Sequence, residues 1–162
     1  MITGVHHFAL AVSDMERSVS FYEMFGLHLV SERTVDGGYV EEITAVPDAR
    51  VRIAHLCGHG HRLELLHYER PSGAAAARAL PDAGSAHVCF TNSDVEVAHR
   101  WLADRGVRLR SAPVTTTSGP NRGGRGFYAE DPDGNAVEVI ELAHSTAARQ
   151  PLTHRAQEDG SG

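Results

Sequence analysis

The sequence is poor in the features that announce several common classes of protein. It holds only two cysteines in 162 residues, Cys57 and Cys89, and no C-x-x-C spacing. Disulfide frameworks and zinc ribbons need more thiols at closer spacing, so two buried free thiols in a reducing compartment are expected. No apolar run approaches the ~20 residues of a membrane span. The first thirty residues also lack the basic-then-apolar order of a secretory signal. A cytoplasmic protein with no membrane partner is the expectation. Charge of one sign is not concentrated either: the net charge is −6, with acids and bases interspersed, so no footprint for nucleic acid is present.

What the sequence does contain is a repeat. Gly4-Val5-His6-His7-Phe8-Ala9-Leu10-Ala11-Val12-Ser13-Asp14-Met15-Glu16 returns as Ser85-Ala86-His87-Val88-Cys89-Phe90-Thr91-Asn92-Ser93-Asp94-Val95-Glu96. An offset of 80 superposes His7 on His87, Ser13 on Ser93, Asp14 on Asp94, Glu16 on Glu96 and Gly26 on Gly106. Each copy opens with an alternating run that reads as a strand, at 5–12 and 86–91, with His7, Ala9 and Ala11 on one face of the first. Ser13-x-x-Glu16 and Ser93-x-x-Glu96 have the form of capping boxes. The helices they open are expected to bury Met15, Val19 and Tyr22 in one copy and Ala98, Trp101 and Leu102 in the other, with Gly26 and Gly106 as stops.

Strands are expected near 27–34, 39–44, 50–57 and 61–68, punctuated by the turn signals Asp36-Gly37-Gly38, Pro47-Asp48 and Gly58-His59-Gly60. The second copy continues with a strand near 107–110, a loop from 111 to 125, a strand at 126–130, the turn Asp131-Pro132-Asp133-Gly134-Asn135 and a closing strand at 136–142. The fold expected is α+β: two paired β-α-β-β-β modules, at 3–70 and 85–143, within one domain spanning 1–143. Residues 71–84 read as the linker, and 144–162 as a disordered polar tail.

The chemistry sits on the outer strands of each module. Leu63-Glu64-Leu65-Leu66 and Val137-Glu138-Val139-Ile140 each carry a glutamate among aliphatic residues. Burying an unpaired carboxylate costs several kcal/mol, against the ~1.5–3 kcal/mol an aliphatic side chain gains there. Two such glutamates at matched positions, each paired with a first-strand histidine, suggest His7, Glu64, His87 and Glu138 converging as an N2O2 set for one divalent metal ion. His6 competes with His7, but the distance to the Ser-Asp-x-Glu box favours His7. His59, His61 and Glu69 have no repeat partner.

His7-x(5)-Ser13-Asp14-x-Glu16-Arg17-Ser18-x(2)-Phe21-Tyr22, Leu63-Glu64-Leu65-Leu66, His87 and Asp131-Pro132-Asp133-Gly134-Asn135-x(2)-Glu138 together resemble the vicinal oxygen chelate superfamily. That superfamily contains glyoxalases, bleomycin-resistance proteins and extradiol dioxygenases. The resemblance implies paired modules forming a cupped, half-open mixed sheet around a divalent metal (Ni, Co, Zn, Mn or Fe), commonly in a homodimer. By position it implies His7, Glu64, His87 and Glu138 as ligands. The His-Glu-His-Glu set is similar to lactoylglutathione lyase, but Ala11 stands where those enzymes place an arginine for glutathione. Methylmalonyl-CoA epimerase-like members have a small residue there and a Glu-Leu-Leu strand like this one.

An epimerase, isomerase or glyoxalase-type lyase moving a proton next to a carbonyl is therefore expected, acting on a small molecule. Glu138 is the expected ligand that doubles as base, with Glu42 (or Glu41) as a second acid. Asn121 and Arg125, in the glycine-rich loop, and Tyr128 after it, are the expected substrate contacts. The alternatives are a ferrous extradiol-type dioxygenase and a non-catalytic drug- or metabolite-binding protein.

Overall fold

The computed structural model describes residues 1–73 and 79–143. The chain order is β1 (Phe8–Ala11), α1 (Met15–Glu23), β2 (His28–Asp36), α2 (Tyr39–Thr44), β3 (Arg50–Gly58), β4 (His61–Arg70), β5 (His87–Thr91), α3 (Val95–Ala103), β6 (Val114–Thr115), β7 (Arg125–Glu130) and β8 (Ala136–Glu141). The strands form two four-stranded mixed sheets, ordered β1-β4-β3-β2 and β5-β8-β7-β6. In each, the first strand lies parallel to the last and the other pairs are antiparallel. Both modules thus have the β-α-β-β-β plan. The linker reading covers residues 74–78, and the tail reading 144–162, which lie outside the described residues.

Each sheet has one helix-covered face. Leu63, Leu65, Ala54 and Leu56 pack with Met15, Phe21 and Tyr22 of α1. Phe127, Ala129 and Val139 pack with Val95 and Leu102 of α3. Period-2 alternation sends the intervening residues, including His55, Glu64, Tyr128 and Glu138, to the opposite face. The modules also grip each other: Val137, Val88 and Phe90 join the α1 cluster, and Phe25 stacks on Phe90 with ring centroids 4.8 Å apart.

Several local expectations are corrected. Residues 39–44 form a helix, because Gly37 and Gly38 both take φ +59° and turn the chain out of β2, letting Val40 pack on Ala49, Val51 and Ile53. Residues 107–110 make only an isolated bridge, Leu109 to Ala129. The N-caps are Asp14 and Asp94, whose carboxylates accept from Arg17 N (2.9 Å) and Val97 N (3.0 Å), rather than Ser13 and Ser93. Ser13 is drawn away by Asp133 of the other module, which accepts from both its amide and its hydroxyl. Trp101 is not inward: it is 37% exposed, with the Arg105 guanidinium 3.7 Å above its ring. Cys89 is exposed and Cys57 half-buried; both are free thiols.

Candidate metal and active site

The parallel pairing of β1 with β4 sets Ala9 against Glu64, which brings His7, just before the strand, within reach of that carboxylate. His7 Nε2 lies 3.4 Å from Glu64 Oε1. The β5–β8 pair repeats the arrangement, setting Cys89 against Glu138, with His87 Nε2 3.2 Å from Glu138 Oε2. The glutamates are half-buried and the histidines more open, with 14% and 26% of the glutamate side chains exposed against 33% and 39% for their histidines. Each pair offers one imidazole and one carboxylate on the face away from α1 or α3. No hydrogen bond, ion pair or ring contact joins one pair to the other among the described residues, and no three such side chains close into a metal cluster there. His6 lies against His7, with the two Nδ1 atoms 2.8 Å apart, and its Nε2 is 3.0 Å from Arg62. His59 and Glu69 serve elsewhere, bonding the Phe25 carbonyl and Arg50.

Two further residues stand at the cross-strand position of each glutamate. His55 is opposite Glu64 on β3, its Nε2 2.7 Å from Glu64 Oε2. Tyr128 is opposite Glu138 on β7, its ring 5.5 Å from that of His87. Tyr128 was expected at the site, whereas His55 was not. The signal for His55 was nevertheless present: a hairpin centred on His59-Gly60 necessarily sets position 55 against position 64. Burial and then the Glu138 charge raise the Tyr128 phenol above its ordinary range, so it stays protonated at neutral pH. The same two causes push the Cys89 thiol up to about 12, which makes it an unreactive neighbour of Glu138 despite its exposed position.

The other expected site residues lie apart. Arg125 is on the helix side of β7, held by Glu96 at 2.5 Å, and the same pair recurs in the first module as Arg52 and Glu16 at 2.6 Å. That repetition marks Arg125 as a strap between helix and sheet, which corrects its reading as a substrate clamp. Asn121 lies in the exposed turn between β6 and β7, where its carbonyl accepts from Gly124 N (3.0 Å). Glu42 and Glu41 lie on α2, between the end of β2 and the start of β3. Residues 39–44 are helical, so neither glutamate stands on a strand face.

An apolar groove of about 950 Å³ runs beside β5, lined by Phe8, Leu10, Phe25, Phe90, Val97 and Trp101 and reaching His87. A second cleft, of about 860 Å³, lies between α1 and the 131–134 turn.

Comparison with known proteins agrees with this architecture. Residues 4–139 match the family model for the Glyoxalase/Bleomycin resistance protein/Dioxygenase superfamily. A 2-epi-5-epi-valiolone epimerase from an Actinomyces species is 32% identical over 146 residues, covering 86% of this chain and 79% of the relative. Among solved structures, a glyoxalase family protein from Bacillus cereus superposes with a TM-score of 0.77 at 23% identity, covering 88% of this chain and 96% of its own. The trypanothione-dependent glyoxalase I of Leishmania major gives a TM-score of 0.60 at 17% identity, covering 86% and 87%. These two structures share the fold.

Proposed function

This chain belongs to the Glyoxalase/Bleomycin resistance protein/Dioxygenase superfamily, and we propose that within it the protein is a divalent-metal-dependent epimerase or isomerase. Its reaction is the movement of a proton on the carbon next to a carbonyl of a small molecule. The observation that carries this reading is the duplicated His–Glu pair: His7 with Glu64, and His87 with Glu138, at matched register on the helix-free faces. The donor set fits the group, since two neutral imidazoles and two carboxylates suit a borderline divalent cation and leave coordination positions open. When bound, such an ion supplies positive charge to a carbonyl oxygen, which makes the neighbouring C–H more acidic.

The chain's own residues supply the rest. Glu138, beside the protonated Tyr128 phenol, takes the proton at one carboxylate oxygen and can return it. Glu64, held between two imidazoles, stays in place as a ligand. The likeness to the epimerase named above favours epimerisation over lyase chemistry, and the compound that enzyme is named for is the first ketone to try. We also propose a homodimer, because Phe8, Val97 and Trp101 leave apolar surface at 61%, 51% and 37% exposure around one groove. Sedimentation equilibrium tests the assembly, and a monomer at micromolar concentration would reject it.

The decisive experiment follows the α-proton by NMR in deuterated water, with 2-epi-5-epi-valiolone and protein loaded in turn with Ni, Co, Zn, Mn or Fe. Deuterium incorporation that stops on chelation is expected. Oxygen consumption by the iron form, without exchange, would move the protein to the dioxygenases. Absence of metal binding under every loading condition would reject both enzyme readings and leave a binding protein.

A further inference from the structure

The face that carries the first His–Glu pair holds one more chain of contacts. His55 Nε2 is 2.7 Å from Glu64 Oε2, and His55 Nδ1 is 2.9 Å from the Ser31 hydroxyl. The other glutamate oxygen, Oε1, is the one that faces His7. The contact to Ser31 is built by a backbone irregularity. Down the β2–β3 ladder Leu29 pairs with Leu56 and Ser31 with His55, so Val30 is an extra residue and the register shifts there. Such a bulge re-aims the side chain that follows it. Unshifted pairing would set Val30 opposite His55, and no hydroxyl would be available.

The chemistry of the three groups fixes the proton positions. An ionised carboxylate only accepts, so His55 must donate to Glu64 from Nε2. A neutral imidazole donating at Nε2 accepts at Nδ1, and a serine hydroxyl can donate there. The chain therefore runs in one direction, from Ser31 to His55 to Glu64. Among the described residues the second module has no serine–histidine chain of this kind; Tyr128 occupies the position opposite Glu138.

We propose that Ser31 and His55 are positioning residues that lock the Glu64 carboxylate, committing Oε2 to His55 and leaving Oε1 toward His7 and any metal held there. The relay itself stands on the contacts above; its bearing on metal rests on the functional reading already given. Groups that orient a ligating side chain in this way typically matter roughly 10–100-fold for metal affinity.

Two measurements test it. The first uses metal-free protein and nitrogen-15 NMR of the imidazole rings, with the His55 signals assigned by their loss in His55→Gln. The Nε2–H tautomer is expected, with an Nδ1 resonance that moves in Ser31→Ala; an Nδ1–H tautomer overturns the relay. The second is competition with a chelator for Zn or Co, with thermal unfolding of the metal-free variants as a check on folding. His55→Ala should weaken binding roughly 10–100-fold. His55→Gln, whose amide can still donate to Glu64, should recover most of the loss. Parent-like affinity in His55→Ala overturns the relay. A parent that binds no metal overturns the functional reading instead, and the tautomer alone then decides the relay.

Discussion

The two modules repeat a backbone but not a chemical environment. Both set a histidine beside a glutamate at the junction of first and last strands, with separations of 3.4 and 3.2 Å. The residues around the glutamates then diverge: Ala9 and His55 flank Glu64, whereas Cys89 and Tyr128 flank Glu138. One carboxylate is clamped by imidazoles, while the other sits against a phenol and a thiol that both remain protonated. The repeat keeps the donors, and their neighbours assign the work. Replacing each glutamate by glutamine is the sharpest way to break this symmetry. Glu138→Gln should lower turnover about 10²–10⁴-fold even at saturating metal, the range of a lost general base. Glu64→Gln should release metal instead. Steady-state kinetics with metal analysis of both variants checks this, and equal behaviour of the two would reject the division of labour.

How far the sequence revealed all this follows from the range of the interactions. Period-2 alternation and the repeat, at an offset of 80 for the first strands and 74 for the last, were sufficient for the strand faces, the two-module plan and the matching of each histidine with a glutamate. Contacts between distant segments were invisible to them. Ser13 looked like a cap because Asp133, 120 residues away, was not in view. Tyr39-Val40-Glu41-Glu42 looked like a strand because the packing of Val40 on Ala49 and Val51 is tertiary. Arg125 looked like a clamp in a glycine-rich loop, although the repeat already held its answer in the pair Arg52 and Glu16.

The modules also differ in how their helices dock. Tyr22 of α1 donates its hydroxyl to Asp131 at 2.9 Å, and Asp131, 5% exposed, also accepts from Asp133 N, Asn135 N and Asn135 Nδ2. At the equivalent place in α3 stands Leu102, with no such partner. Burial, with the Asp131 charge beside it, holds the Tyr22 phenol far above its ordinary range, so this donor never ionises. Asp131→Ala strands a buried hydroxyl, two backbone amides and the Asn135 side-chain amide, and should cost about 2–4 kcal/mol in urea unfolding. Tyr22→Phe should cost only about 1 kcal/mol. A loss under about 1 kcal/mol for Asp131→Ala would show that the Asp131 network contributes little to joining the modules.

A smaller difference lies four residues earlier in the same helix. Ser18 is fully buried, and its hydroxyl has no hydrogen-bond partner among the described residues. The second module has Ala98 at that position. Since an unsatisfied buried hydroxyl carries a desolvation penalty, Ser18→Ala should be neutral or stabilising by about 1 kcal/mol. A loss of stability by thermal or urea unfolding would mean that the hydroxyl has a partner, such as an internal water.

The least effect is expected at the end of the first module remote from the His–Glu pair. Asp36 accepts from Arg50 and Arg70, each at 2.7 Å, and Arg50 also holds Glu69. Counting back five residues from His55 reaches Arg50, whereas the same step from Tyr128 reaches Gly123, so the second module has no matching staple. Hydrogen bonding to Arg50, followed by the charge of Arg70, holds the Asp36 carboxyl below its ordinary range. Its contribution is therefore present above the ordinary aspartate value of about 3.9 and is lost as pH falls through the lower folded value. The group is exposed, so salt should shrink the effect. Amide exchange at low salt, corrected for the intrinsic pH dependence, should show the β2–β3 end near Asp36 losing protection below about pH 4 ahead of β6–β7. Equal loss in both hairpins, or a loss unchanged by salt, would place the acid sensitivity elsewhere than in this staple.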